Sequence, residues 1–358
     1  MTVTVRSFAK INLGLRIGAL RADGFHDLLT VYQTIGLHDV IRVSVGRGTG
    51  IEIRCEDPRV PRDESNTCFR IVERAMAALR AKGRVVIEIE KRLPVQGGLG
   101  GASANAVATL LGLERALRKA LPAVERLRVA AEVGSDLPLF LVGGTVLGVG
   151  RGEQVYPLPD LPAMACVVVT PQVGVSTPRA FAEWDRLCGA GAHARERAPV
   201  LSASEEQAEL RSAGQPRAAV PTKRGTPPAK LTVAPASDRM NELSRELSVW
   251  LSELHSSAPF RRGQAGNHLL GLVRAGITND FEEVVFPEYP ELREGKRALE
   301  RAGAKYASLS GSGSTLYGLF GSKAAAAQAV VRLHKQGWAA QASSTLTRQQ
   351  YWRRIFDC

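Results

Sequence analysis

The sequence predicts an α+β protein of two domains, and three observations carry that expectation. Its 358 residues correspond to about two domains at a soft prior of ~150 residues each. Strand-like runs alternate with amphipathic helical stretches along the chain, so neither an all-helical bundle nor an all-strand sandwich fits. Hydrophobic residues make up 44% and charged residues 23%, the ordinary composition of a packed globular chain. A domain boundary falls near Asp160, after Pro157-Leu158-Pro159.

The elements follow in order. Residues 3–8, 28–34, 40–46 and 51–55 are rich in Val, Ile and Thr and read as strands, with Asp23-Gly24 marking a turn. Asn66-Thr67 opens a helix to about Ala81, apolar at Ile71, Ala75, Met76 and Leu79. A strand over 84–90 leads into a glycine-rich loop at 96–101, and a second helix is expected from Ser103, with Val107, Leu110, Leu111 and Leu113 on its apolar side. Past the boundary, Ala165 to Thr170 forms a strand. Residues 189–239 are different in kind: 51 residues hold 12 Ala and 6 Pro but no Trp, Tyr, Phe or Ile. Such a segment buries too little apolar surface to offset its ordering entropy and is expected to be a low-complexity insertion. Helices are then expected near 241–255 and 289–301, a strand–loop–strand over Tyr306–Phe320, and a helix from Lys323 to Lys335. The first domain thus covers residues 1–160, and the second covers 161–345, interrupted by the insertion.

Composition excludes several classes. No window approaches the ~18 to 20 continuous apolar residues of a membrane-spanning helix. Residues 1–6 alternate like a strand and lack the apolar run of a signal peptide, so a cytoplasmic location is expected. The five cysteines are scattered and never spaced as Cys-x-x-Cys, which argues against a disulfide framework and a zinc knuckle. None of the six histidines lies in a His-Glu-x-x-His pattern, and no protein-held metal is expected. The net charge of +12 suits phosphorylated small molecules or RNA. No run of five or more basic residues and no RNA-binding aromatic pattern appears, and charge alone leaves phosphate-bearing small molecules and RNA both open. A monomer or weak homodimer is expected.

Three segments carry chemistry. Lys91-Arg92-Leu93-Pro94-Val95-Gln96-Gly97-Gly98-Leu99-Gly100-Gly101-Ala102-Ser103-Ala104-Asn105 joins a strand to a helix. Its glycines uncover backbone N–H groups, and a helix N-terminus adds partial positive charge, which together suit a polyphosphate. It is neither a Walker A motif nor a dinucleotide fingerprint. In Ala9-Lys10-Ile11-Asn12-Leu13-Gly14-Leu15, alternation puts Lys10 and Asn12 on one face of a strand, an expensive placement unless they meet partners. Leu309-Ser310-Gly311-Ser312-Gly313-Ser314-Thr315 is a second small, donor-rich loop.

These segments, with Asp23-Gly24-Phe25-His26 and Gly134-Ser135-Asp136-Leu137-Pro138, occur in one order that resembles the galactokinase–homoserine kinase–mevalonate kinase–phosphomevalonate kinase (GHMP) superfamily. The resemblance covers residues 1–187 and roughly 265–345. Within the superfamily the Asp-Gly-aromatic-His segment is most similar to the branch that phosphorylates a cytidine-diphosphate-linked methylerythritol in the non-mevalonate route to isoprenoids. It implies a ribosomal protein S5 domain 2-like N-terminal domain, a ferredoxin-like α/β sandwich after it, and an active site between them. ATP, Mg²⁺ and the cytidylylated polyol are the implied ligands, in place of nucleic acid or membrane, with the γ-phosphoryl passing to the 2-hydroxyl. The resemblance makes Lys10 and Asp136 the catalytic pair and puts Asn12 at the methylerythritol end. It makes Phe25 and Phe181 a sandwich for cytosine, with His26 on the base edge and Thr177 beside the substrate. Asn66 and Lys91 match positions near the ATP nucleoside, Pro94 to Ala104 match the phosphate loop, and Asn105 joins them among the implied ATP-binding residues.

The chain departs from the pattern at Phe25, where Tyr is usual, at Ala102, where a further glycine is usual, and in Gly-Ser-Asp-Leu-Pro for Gly-Ala-Asp-Val-Pro. None of these removes a reacting group. Asp136 before Leu137-Pro138 is also a natural helix N-cap. An RNA-binding protein, an inactive nucleotide-binding relative and a mevalonate- or homoserine-type kinase are the competing readings.

Overall fold

The computed structural model describes residues 1–95, 97–189, 240, 245 and 277–356. Two long antiparallel strands form its spine. β1 (Thr2–Leu20) and β2 (His26–Gly46) pair from Thr2↔Ser44 to Leu20↔His26. The sequence pattern suggests shorter pieces. Register shifts between Phe8/Lys10, Asn12/Gly14 and Ile17/Leu20 absorb the irregular residues as bulges and keep the ladder continuous.

β3 (Ile51–Cys55) runs parallel to β4 (Arg84–Glu90), and α1 (Thr67–Ala78) makes the crossover. Asn66 caps α1 as expected, its side chain accepting from the Cys68 N–H at 2.8 Å. β5 (Thr145–Gly150) and β6 (Gln154–Pro157) complete a six-stranded sheet in the order β3-β4-β2-β5-β6, with β1 on β2. Three helices accompany it: α2 (Gly101–Leu117), α3 (Ala123–Val133) and α4 (Leu137–Val142). The core between α2 and the sheet includes Val5, Ile41, Val43, Ile87, Val107 and Leu110. α2 starts two residues before the expected Ser103. Gly100 occupies the N-cap in a left-handed conformation (φ +68°), and no side chain caps the helix.

The second lobe holds β7 (Ala165–Val169), β8 (Tyr306–Leu309), β9 (Leu316–Phe320) and β10 (Ala340–Ser344), antiparallel in the order β10-β7-β9-β8. α5 (Thr177–Cys188), α6 (Glu282–Glu288) and α7 (Pro290–Arg301) lie between β7 and β8, and α8 (Lys323–Lys335) lies between β9 and β10. This is the split β-α-β arrangement of a ferredoxin-like layer, so the expected α+β architecture is present. From residue 190 to 239 the insertion lies outside the described residues, as does the helix expected near 241–255 apart from Arg245.

The last described helix returns to the first lobe. α9 (Arg348–Arg354) packs there, with the Tyr351 hydroxyl donating to Phe140 O at 2.7 Å and Trp352 Nε1 to Val142 O at 3.0 Å. A third apolar cluster joins the lobes, Ala9, Ile11, Leu13 and Val31 meeting Cys166, Val168, Tyr317 and Leu319. Both faces of mid-β1 are therefore buried, and its polar side chains must find partners inside. Cys55, Cys68 and Cys166 are packed in these cores, and burial pushes the Cys68 and Cys166 thiols up to about 12. No helix among the described residues is long and apolar enough to cross a membrane.

Candidate active site

Lys10 is the centre of the site. Its side chain is 5% exposed, and its Nζ donates to Asn12 Oδ1 at 2.8 Å and stands 3.5 Å from Asp136 Oδ2. Alternation along β1 places Lys10 and Asn12 together, as expected. Asn12 Nδ2 in turn donates to Thr30 Oγ1 at 2.8 Å, and the Thr30 hydroxyl donates to Gly14 O at 2.8 Å. A buried cation and amide are thus satisfied by a short chain of hydrogen bonds. Asn12 is 1% exposed, and its side chain is engaged by Lys10 and Thr30 in this arrangement.

Asp136 stands at the N-cap of α4 but makes no capping hydrogen bond with its side chain. The carboxylate, 32% exposed, turns instead to Lys10 and accepts from the Tyr32 hydroxyl at 3.1 Å. The capping explanation for Asp136 is therefore not what this backbone shows.

The glycine-rich loop closes over the same point. Lys10 N–H donates to Leu99 O at 3.0 Å, which fastens the loop to β1, and Leu99 itself is a buried anchor in the inter-lobe core. A Cβ on Gly100 would lie 3.0 Å from Lys10 Cγ, so only glycine lets the loop pass this close to the lysine. Across the cleft, a Cβ on Gly98 would fall 2.1 Å from Ser310 O. The Ser310 hydroxyl donates to Gly98 O at 2.9 Å, and Thr315 N–H to Gly97 O at 3.2 Å. The two small-residue loops therefore abut. Asn279 Nδ2 shapes the second one by donating to Leu309 O at 2.9 Å and Gly311 O at 2.7 Å. Thr177, at the start of α5, reaches it through a 2.7 Å contact between Thr177 Oγ1 and Ser312 Oγ.

α2 starts without a capping side chain at Gly100, beside Lys10, and an uncapped helix N-terminus offers unpaired N–H groups to an anion. Gly101, Ala102 and Ser103 form its first turn, while Pro94 and Val95 lead into it and Gln96 lies outside the described residues. Ala104 is buried in the core. Asn105 turns inward at 4% exposure, accepting from Ser7 Oγ at 2.6 Å and donating to Asp39 Oδ2 at 3.0 Å, which ties the helix to β1 and β2. Lys91 is likewise tied down, its Nζ 2.6 Å from Asp39 Oδ2. The Asn66 amide is spent on its cap and on Pro61 O at 2.6 Å.

Phe181 is 3% exposed and lies stacked on His26, with centroids 5.0 Å apart and planes at 12°, and edge-on to Phe281 at 4.9 Å. It shares the apolar face of α5 with Trp184. The expected Phe25–Phe181 sandwich is not formed as the rings stand. His26 Nε2 is 2.7 Å from Asp185 Oδ1. Phe25 remains half-buried, with the Arg151 guanidinium 5.0 Å from its ring centroid, a cation–π distance.

Sequence reasoning missed Tyr32, Asp39, Asn279 and Arg151. Asp39 is fully buried, and its Oδ1 accepts from the Arg92 and Leu93 N–H groups at 2.7 Å each. With Lys91 and Asn105 on Oδ2, one carboxylate ties together β2, the start of the loop and α2.

Comparison with known proteins gives the family. The chain matches the GHMP kinases N terminal domain over residues 66–144 and the GHMP kinases C terminal domain over residues 260–339. It is 34% identical over 357 residues to a 4-diphosphocytidyl-2-C-methyl-D-erythritol kinase of Solibacter usitatus, covering 99% of this chain and 92% of that one. A solved 4-(cytidine 5'-diphospho)-2C-methyl-D-erythritol kinase superposes with a TM-score of 0.62 at 24% identity, over 96% of this chain and 98% of that one. A homoserine kinase from Cytophaga hutchinsonii gives 0.64 at 18% identity, over 98% and 96%. Shape alone thus establishes the common fold, and it is sequence identity that separates the branches. The chain belongs to the 4-diphosphocytidyl-2-C-methyl-D-erythritol kinase family of GHMP kinases.

Proposed function

We propose that this protein is an ATP-dependent kinase that phosphorylates the 2-hydroxyl of 4-diphosphocytidyl-2-C-methyl-D-erythritol in the non-mevalonate route to isoprenoid precursors. The observation that carries this reading is the Lys10–Asp136 pair, 3.5 Å apart, at the open start of α2 in a chain of this family. In the transfer, the substrate hydroxyl gives its proton to the Asp136 carboxylate as its oxygen bonds to the γ-phosphorus. The bond from that phosphorus to the bridging oxygen breaks, and ADP leaves. Asp136 acts as a positioned base, an effect typically worth 10²–10⁴-fold. Lys10 offsets the charge on the transferring phosphoryl group, and the loop and first-turn N–H groups receive the phosphates.

Magnesium bound to ATP supplies charge neutralisation between the phosphates. Such an ion would be held by phosphate oxygens and water, leaving the partly exposed Asp136 to take the hydroxyl proton. Phe25 is the face on which the cytosine stacks, and the enzyme works in the cytoplasm.

The test measures ADP release with the cytidylylated polyol, mevalonate and homoserine in parallel, for the wild type and for Phe25→Ala. Turnover is expected with the cytidylylated compound alone. Because a stacked base is worth roughly 1–3 kcal/mol, Phe25→Ala should raise the KM for that substrate and leave the KM for ATP in place. Turnover on mevalonate or homoserine only would sink the substrate assignment. Unchanged constants in Phe25→Ala would move the base elsewhere.

A further inference from the structure

We infer that Tyr32 is a positioning residue for phosphoryl transfer, holding both members of the Lys10–Asp136 pair with one phenol. The inference rests on the reading of Asp136 as the base. Tyr32 lies on β2 directly opposite Asn12 of β1 and is 2% exposed. Its hydroxyl donates to Asp136 Oδ1 at 3.1 Å, while its ring lies beneath Lys10 Nζ, 5.4 Å from the centroid. Lys10 and Asp136 therefore meet each other and the same side chain. Lysine gains from the ring face electrostatically, and the carboxylate gains a fixed, charge-assisted donor.

The phenol is itself seated firmly. A Cβ on Gly148 would lie 2.4 Å from Tyr32 Cε2, and one on Gly152 would lie 2.5 Å from its oxygen. These two glycines, at the β5–β6 hairpin, make the slot for the ring. Burial first, and then the neighbouring Asp136 charge, push the Tyr32 phenol well above its ordinary value. It stays protonated near neutral pH and can only donate to the carboxylate. That fixes one oxygen of Asp136 and leaves the other facing Lys10 and the cleft. Tyr32 touches no substrate on this account; it acts through Asp136.

The experiment compares Tyr32→Phe, Asp136→Asn and the double variant by steady-state kinetics and thermal melting. Tyr32→Phe keeps the ring over which Lys10 lies and removes only the hydroxyl. A loose catalytic group costs up to about 10²-fold, so kcat should fall by roughly 10-fold to 10²-fold, with both KM values and the melting midpoint held. A packing role would move the midpoint and leave kcat alone. The double variant should be no slower than Asp136→Asn, because the hydroxyl acts only through the carboxylate. Wild-type kcat in Tyr32→Phe, or a loss that adds in full to that of Asp136→Asn, would overturn the inference while an inactive Asp136→Asn kept the base assignment. Wild-type kcat in Asp136→Asn would overturn the assignment on which it rests.

Discussion

Asp136→Asn is expected to lose roughly 10²-fold or more in kcat while folding normally and binding ATP as the wild type does. A hydroxyl is a poor nucleophile until its proton has somewhere to go, and the amide of asparagine cannot take it. The substitution is otherwise mild. Its carbonyl oxygen still accepts from the Tyr32 hydroxyl, and the side chain is partly exposed, so water can satisfy what remains. Helix α4 loses nothing, because the Asp136 side chain makes no capping hydrogen bond there. Measurement of kcat and the thermal midpoint together decides the matter. A variant with wild-type kcat removes Asp136 from the mechanism.

Asp39→Ala is expected to have the largest effect on stability, about 3–5 kcal/mol. It strips four hydrogen bonds from a fully buried carboxylate and leaves Lys91, only 10% exposed, without its counter-charge. At a few degrees per kcal/mol, the melting midpoint should fall by roughly 10 °C. Replacing Asp39 and Lys91 together with apolar residues of similar size should recover only the share due to the isolated Lys91 charge, since the Arg92, Leu93 and Asn105 donors stay unpaired. The KM for ATP should also rise, because Arg92 and Leu93 are the anchor from which the phosphate loop starts. A wild-type midpoint in Asp39→Ala would show that the carboxylate is not holding the loop.

Much of the site was legible in the chain because its parts are local. Lys10 and Asn12 share a face by strand alternation. The glycines between Gly97 and Gly101 mark a close backbone approach, and Asn66 is a recognisable cap. What was not legible depends on partners distant in sequence. Tyr32 and Asp39 look like ordinary strand residues, and only the β1–β2 register, which sets Asn12 against Tyr32, turns them to the site. The packing of Phe181 against His26 and Phe281 is hidden for the same reason, since these partners lie far apart in sequence. The sequence sets the start of α2 late because Gly100 caps it with backbone alone, while Ser103 offers the side chain a cap usually has. It makes the strands look short because bulges break the alternation on which strand prediction relies.

The central claim is that Lys10 and Asp136 serve transfer of one phosphoryl group from ATP to a single hydroxyl of a cytidylylated polyol. Phosphorus NMR of the reaction with ATP, Mg²⁺ and 4-diphosphocytidyl-2-C-methyl-D-erythritol tests it most directly. The account predicts one new phosphomonoester signal, coupled to the 2-position of the methylerythritol, growing in step with ADP, with the diphosphate linkage to cytidine intact. ADP formed without that signal, or a phosphomonoester at another hydroxyl, would contradict it.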